Sequence, residues 1–145
     1  MSSRHLSRTA ALQALFVSDA RGELKESLVL DAYKSNADFF PHSDEDKAFT
    51  ESLIRGVVAK RQEIDALIEK SAPEWPLDRV ASIDRNILRL GMYELLFGDK
   101  ASVPPKVVLN EAIELAKTFG SEASSKFVNG VLASVLRDVE RNEAV

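Results

Sequence analysis

The stretch from Ser82 to Leu136 constrains the fold more than any other part of the chain. It reads SIDRNILRLGMYELL, then a short loop, then VPPKVVLNEAIELAKTFG, then SEASSKFVNGVLASVL. Each segment carries apolar residues at helical spacing between readable start and stop signals. In the first, Ser82 is the expected N-cap. Ile83, Ile87, Leu90, Gly91 and Glu94 fall on one side, and Leu88, Met92, Leu95 and Leu96 make most of the remainder apolar. A helix that is apolar nearly all round is a buried one, so Ile83 to Phe97 is predicted to be the most buried element. The second segment opens at Val103-Pro104-Pro105, where proline suits the first helical turn. Leu109, Ala112, Ile113 and Ala116 form its inner stripe, and Gly120 is the expected C′ residue. The third opens at Ser121 and carries Phe127, Val128, Val131, Leu132, Val135 and Leu136. Gly130 inside it costs ~1 kcal/mol relative to alanine, and a close helix crossing is the expected reason, with a ligand as the alternative.

The chain before Ser82 extends the helical pattern. Arg4 to about Asp19 reads as a helix capped by Ser2 or Ser3, with Leu6, Ala10, Ala14 and Val17 in one apolar row, Ala11 and Leu15 beside it, and Arg21-Gly22 as its end. Lys25 to Asn36 follows, with Leu28, Val29, Ala32 and Tyr33 facing inward. Phe39-Phe40-Pro41-His42 is a loop whose aromatics are expected to pin it to the core. Ser43-Asp44-Glu45-Asp46 has the form of a capped helix start with acids in the first turn. Phe49, Leu53, Val57, Ile64, Leu67 and Ile68 continue to about Lys70, as one helix or as two with a bend near Lys60. The clearest break is Ala72-Pro73-Glu74-Trp75-Pro76. Trp75 is expected to pack over a core edge, and Leu77 to Val80 to form a short helical turn. With no β alternation and no internal repeat, the chain reads as all-α, a single compact domain over residues 1–145 with about seven helices.

Composition narrows the function. A length of 145 residues suits one domain. With no cysteine, there is neither a disulfide nor a thiolate metal site, which suits a reducing cytosol. The start, MSSRHLSRTAALQALF, lacks the form of a secretory signal, and no run approaches the ~20 apolar residues that span a bilayer. A soluble cytoplasmic protein without membrane contact is expected. The net charge of −4 argues against indiscriminate nucleic-acid coating, although a local basic patch remains open: Arg4 and Arg8 flank His5, and no acid precedes Asp19.

Signals for catalysis are poor. There is no Gly-rich phosphate loop, and His5 and His42 lie on separate segments without a carboxylate at ligand spacing. No cofactor, metal site or catalytic residue is expected. Glu111 and Glu114 read as a solvated face with Lys117 as ion-pair partner. Glu94, among apolar residues, needs a donor or a raised pKa, and both a bonded structural role and an acid-base role fit it. Binding surfaces are the stronger candidates. Arg4, His5 and Arg8 share a face with Leu12 and Phe16, and this mixture of cations and rings suits single-stranded RNA, whose phosphates take cations and whose unstacked bases stack on rings. Phe16 has two readings, stacking ring or core. Lys126-Phe127 is a second such pair, with the alternative that Phe127 belongs to the inner stripe.

The strings ILRLGMYELL, NEAIELAKTFG and KFVNGVL resemble the NusB family of bacterial transcription antitermination factors, most clearly after Ser82. The resemblance implies an all-helical protein that binds boxA-type single-stranded RNA together with NusE, a protein that doubles as a component of the small ribosomal subunit. It also implies a place in an antitermination complex on RNA polymerase, notably during transcription of ribosomal RNA. The family's RNA site maps onto RHLSRTAALQALF, with Arg4, His5 and Arg8 in the arginine-rich segment, Gln13 in an AxQAL-type core and Phe16 where an aromatic, usually tyrosine, is expected. Asp84, Lys126 and Phe127 fall at further RNA-side positions. The basic run is thinner here than is common in the family, so unaided RNA affinity is expected to be weak, and Phe16 lacks a hydroxyl. The NusE surface is expected on the helices around Val80 to Phe97 and the loop before Asn110. Some relatives form homodimers that cover the basic surface. A NusB-like domain also opens an RNA cytosine methyltransferase family. This chain has no room for that cofactor-binding domain, so a free-standing factor is expected. An all-helical interaction module or homodimer without an RNA role is the competing reading.

Overall fold

The structure, a computed structural model, describes residues 3–40 and 43–143. Among them are α1 (Ser3–Ala20), α2 (Glu26–Ser35), α3 (Asp44–Ala59), α4 (Arg61–Ser71), α5 (Ser82–Phe97), α6 (Pro105–Phe119) and α7 (Glu122–Glu143), with 3-10 turns at Ala37–Phe39 and Leu77–Arg79 and no strand. The all-α expectation holds. The Ser2 cap and the Pro41-His42 part of the predicted loop lie outside the described residues. The chain falls into two compact units, residues 1–61 and 62–145. The helical pattern that runs through Lys60 is two helices, α3 ending at Ala59 and α4 starting at Arg61, and the units divide there rather than at the Pro73-Trp75-Pro76 break.

In the first unit α1 packs on α2 and α3. Its small residues permit close approach: Ala10, Ala11 and Ala14 are buried with Leu12 and Leu15 against Val29, Leu30, Tyr33, Leu53, Ile54 and Val57. Hydroxyls cross the gap. Thr50 Oγ1 donates to the Asp46 carbonyl at 3.0 Å and lies 3.5 Å from that of Ser7, and Ser7 Oγ lies 3.4 Å from the Asp46 carbonyl. Burial pushes the Tyr33 phenol above its ordinary pKa against the opposing Thr50 hydrogen bond, and the Glu51 and Asp46 carboxylates add to the rise. Helix α1 ends as Arg21-Gly22 implies. Gly22 takes φ 69°, its N–H donates to the Asp19 carbonyl and that of Glu23 to Ser18, which is the paired closure of a left-handed C-terminal cap. Ser43 starts α3 with a reciprocal capping box to Asp46, as read from the sequence. One expectation fails and another holds only in part. Leu28 is exposed while Leu30 is buried, and of the two loop aromatics Phe40 is half-buried, whereas Phe39, 79% exposed, is carried outward by the 3-10 turn at Ala37–Phe39.

In the second unit α5, α6 and α7 pack pairwise. Helix α5 is the most buried among the described residues, with Ile87, Leu88, Leu90, Met92 and Leu95 all inside. Asp84, Asn86, Arg89 and Glu94 are buried too. Arg89 donates to Asp65 of α4 through Nε at 2.8 Å and Nη2 at 3.1 Å, and to Asn86 Oδ1 at 3.0 Å, a forked pairing that compensates a desolvated guanidinium. Ser82 is not the N-cap. Ala81 holds that position without a side-chain cap, and Asn86 Nδ2 donates to the Ser82 carbonyl at 2.8 Å. Glu94 is buried as its phase implied, whereas Lys117 and Glu114 form an exposed pair 3.9 Å apart. Helix α6 starts with proline in its first turn.

The glycines carry a correction. A Cβ on Gly130 would meet none of the described residues within 4 Å, so no described helix crosses there. The close crossing is at Gly91, where a Cβ would stand 2.7 Å from Leu132 Cδ1. Gly120 is not left-handed, with φ −109°; it is small because a Cβ would stand 2.6 Å from Ser124 Oγ and 2.9 Å from the Ala116 carbonyl.

Two substitutions at glycine and one at leucine test this packing by denaturant titration. Leu90→Ala should cost roughly 2–5 kcal/mol. Gly91→Ala should cost about 1–3 kcal/mol through overpacking of Leu132, whereas Gly130→Ala should gain about 0.4–1 kcal/mol. Equal effects at the two glycines would show that α5 and α7 do not meet at Gly91.

Candidate nucleic-acid interface

Each unit brings part of the predicted set together. On α1, Arg4 and Arg8 stand one turn apart and lie over the same ring, Phe49 of α3, with guanidinium carbons 4.2 and 5.4 Å from its centroid. The shared face is as predicted, but Arg8 is not on the surface. It is 3% exposed, because a guanidinium is weakly hydrated, stacks on rings and carries an apolar stem that packs well. The aromatic partner of the pair is therefore Phe49, which the sequence places only in the apolar pattern of α3. Arg4 and His5 are half-buried and Gln13 is exposed. Phe16 is 37% exposed while Leu12 is fully buried, so of the two readings of Phe16 the accessible ring is the one the structure supports.

In the second unit Asp84, near the start of α5, and Phe127, in the second turn of α7, line one cavity of 280 Å³ together with Trp75, Arg79, Ser121 and Ser124. Three local features build it. Ser121 caps α7 by accepting from the Ser124 N–H at 3.1 Å, while the Ser121 N–H donates to Ser124 Oγ at 3.0 Å; the reciprocity satisfies two donors of the helix start. Arg85 Nη1 donates to the carbonyls of Leu77 and Val80, both at 3.1 Å, and holds the 3-10 turn on α5. The bend just before that turn holds Trp75, 54% exposed, edge-on to Phe127 with centroids 6.2 Å apart and planes at 70°. Phe127 is half-buried rather than part of the innermost stripe, and Lys126 beside it is exposed. Asp84 is 9% exposed, and its Oδ1 has no hydrogen-bond partner among the described residues.

Sequence reasoning missed Trp75, Arg79 and Arg85 as parts of this site. The signal for Trp75 was present, since a tryptophan between two prolines cannot belong to a regular buried helix. Arg85 gave none, because its role depends on two carbonyls that only the folded turn presents. Among the described residues no group of three or more His, Asp or Glu side chains could hold a metal ion, and no helix is long and apolar enough to cross a membrane.

The burial pattern of α1 is directly testable by melting the variants. Arg8→Ala should destabilise the fold, since it removes a desolvated cation–π contact worth about 2 kcal/mol. Phe16→Ala should cost less than the ~3–5 kcal/mol of a core phenylalanine. A Phe16→Ala loss of ~3–5 kcal/mol would show that the ring is core.

Known proteins match this arrangement across nearly the whole chain. The NusB family is matched over residues 5–137. The transcription antitermination protein NusB of Anaeromyxobacter dehalogenans is 46% identical over 134 residues, 92% of this chain and 90% of that protein. That of Desulforudis audaxviator is 40% identical over 137 residues, 94% of this chain and 95% of that protein. The structure of T. maritima NusB superposes with a TM-score of 0.80 at 33% identity, covering 94% of this chain and 92% of that one. A crystal structure of the antitermination factors NusB and NusE in complex with dsRNA contains a chain with a TM-score of 0.80 at 30% identity, covering 95% of this chain and 98% of that one. With both the sequence and the helical architecture matched from one unit into the other, the chain belongs to the NusB family.

Proposed function

We propose that this protein is a transcription antitermination factor that binds boxA-type single-stranded RNA together with NusE and promotes processive transcription by RNA polymerase, notably of ribosomal RNA operons. The carrying observation is the convergence of Asp84 and Phe127 on one cavity beside the exposed Lys126, in a chain similar to one found with NusE and RNA. The family match spans both units, which supports reading residues 1–145 as one RNA-binding domain. The protein acts by binding rather than by catalysis, and it acts in the cytoplasm.

The RNA contacts divide by chemistry. On α1, Arg4 and His5 supply cations, Gln13 a hydrogen-bonding amide and Phe16 a stacking ring. Arg8, buried on Phe49 beside Arg4, holds the pair in place rather than reaching a phosphate. In the second unit Lys126 meets a phosphate, while Phe127 and Asp84 face a base. Phosphate contacts give affinity, and ring and carboxylate contacts give selectivity. The NusE surface takes the exposed end of α5, where Tyr93 and Phe97 stack with centroids 6.0 Å apart and Phe97 is exposed, together with Val107 at the start of α6.

Because the cations of α1 are few, with Arg4 and His5 half-buried and Arg8 buried, the partner must supply further contacts, and linkage then requires each protein to raise the other's RNA affinity by the same factor. Anisotropy titrations of a fluorescent boxA-type strand, with and without NusE, should show tighter binding with the partner and weaker binding to a duplex of the same sequence. Equal affinity with and without NusE contradicts the coupling. Absence of binding in both returns the protein to a helical interaction module.

A further inference from the structure

We infer that α2 and the 3-10 turn after it form a docking surface for a basic segment of a protein partner, with Phe39 as the aromatic anchor and the acids around it as the complementary charge. This surface lies on the first unit and goes beyond the RNA and NusE contacts proposed above.

Its apolar part is a row rather than a scatter. Leu28 is exposed and Ala32 half-buried, and they stand one turn apart on α2, so they share a face. The turn at Ala37–Phe39 packs on the same helix and ends in Phe39, whose 79% exposure is the largest of any exposed large hydrophobic among the described residues. The backbone that presents this ring is ordered. Asn36 Nδ2 donates to the Ala32 carbonyl at 3.0 Å, the Phe39 N–H to the Asn36 carbonyl at 3.1 Å and the Phe40 N–H to that of Ala37 at 3.0 Å. An anchor held in place before binding loses little freedom when a partner covers it.

The charge around the row has one sign. From Glu26 to Asp46 there are six acids and one lysine, in a chain whose net charge is −4. Asp31, Asp38, Asp44 and Glu45 are exposed. Two contacts place the acids of α3 at the same end as Phe39. Arg55, in the last turns of α3, pairs with Glu26 at the start of α2 at 3.0 Å. The Tyr33 phenol, toward the end of α2, is hydrogen-bonded to Thr50 and lies within electrostatic reach of Asp46. The two helices are therefore antiparallel, and the first turn of α3, with Asp44 and Glu45, lies by the end of α2 that leads to Phe39.

This charge selects the occupant. RNA phosphates are repelled by it. A second copy in a symmetric dimer would set the patch against itself, acid facing acid, which costs affinity. A basic protein segment meets neither obstacle. Its apolar residue covers Phe39 and Leu28 while its cations meet the rim carboxylates, an apolar centre within a polar rim.

Replacement of Phe39 by p-benzoylphenylalanine in the full chain, followed by irradiation in cells and sequencing of the crosslinked peptide, tests this. The peptide should come from another protein and carry an excess of lysine and arginine around an apolar residue. Asp38→Asn, Asp44→Asn and Glu45→Gln together should remove most of the product. The identified segment, synthesised, should bind the purified protein with an affinity that falls as salt rises. Phe39→Ser should weaken that binding roughly ten- to a hundredfold with the melting temperature and RNA affinity unchanged, since the ring is exposed. Crosslinks only to a second copy, to RNA or to an acidic or uncharged segment, the absence of any crosslink, or equal affinity in Phe39→Ser would overturn the proposal and leave the RNA-binding reading standing.

Discussion

Gly91 is the constraint on which the second unit depends. The space that a Cβ there would need is filled by Leu132, so α7 lies directly on the backbone of α5, and Val128, Val131 and Val135 are carried into the same buried seam. Core packing tolerates little displacement, so this contact fixes the register of the two helices. That register in turn sets where the first turns of α7 fall, and it puts Phe127 at the same cavity as Asp84. The interior of α5 explains why Asp84 stands apart. Arg89, Asn86 and Asp65 satisfy one another, and Arg85 is committed to the turn at Leu77 to Val80. Of the buried side-chain polar atoms among the described residues, Asp84 Oδ1 is left without a donor.

The first unit solves a different problem, how to present a cation from a helix that is mostly buried. Its alanines bring α1 close to its neighbours, and a long basic side chain must then lie on something. Phe49 provides that surface for both arginines. Arg8 is spent on packing and Arg4 is left half-exposed, ordered by the same ring. A side chain that is already ordered loses less entropy when it meets a phosphate. A short basic run can serve in this way, particularly where a partner protein contributes the remaining charge.

How legible this was follows from the range of the interactions involved. Helix-period patterns and local caps were readable, as at Ser43 with Asp46, Gly22 and Ser121, because their partners lie within a few residues. The deep burial of α5 was readable from its unbroken apolar surface. Features set by distant contacts were not. Gly130 and Gly91 look alike in sequence, and only the crossing with Leu132 shows which of them is needed for space. The exposure of Arg4 and the burial of Arg8 depend on Phe49, some forty residues away along the chain. Ser82 has the chemistry of a cap, yet α5 begins one residue earlier than that role requires. The family resemblance supplied Asp84 and Phe127, but of the other walls Arg79 belongs to a turn that Arg85 holds and Trp75 to the bend before it.

RNA-contacting residues are proposed on each unit, cations and a ring on α1 and an aromatic pocket at the start of α7. Photo-crosslinking of a 4-thiouridine-substituted boxA-type strand to the protein bound with NusE, read by mass spectrometry, tests that assignment most directly. Crosslinks should fall on α1 between Arg4 and Phe16 and on the Trp75–Phe127 pocket. Crosslinks confined to α2, α4 or the exposed face of α6 would contradict it.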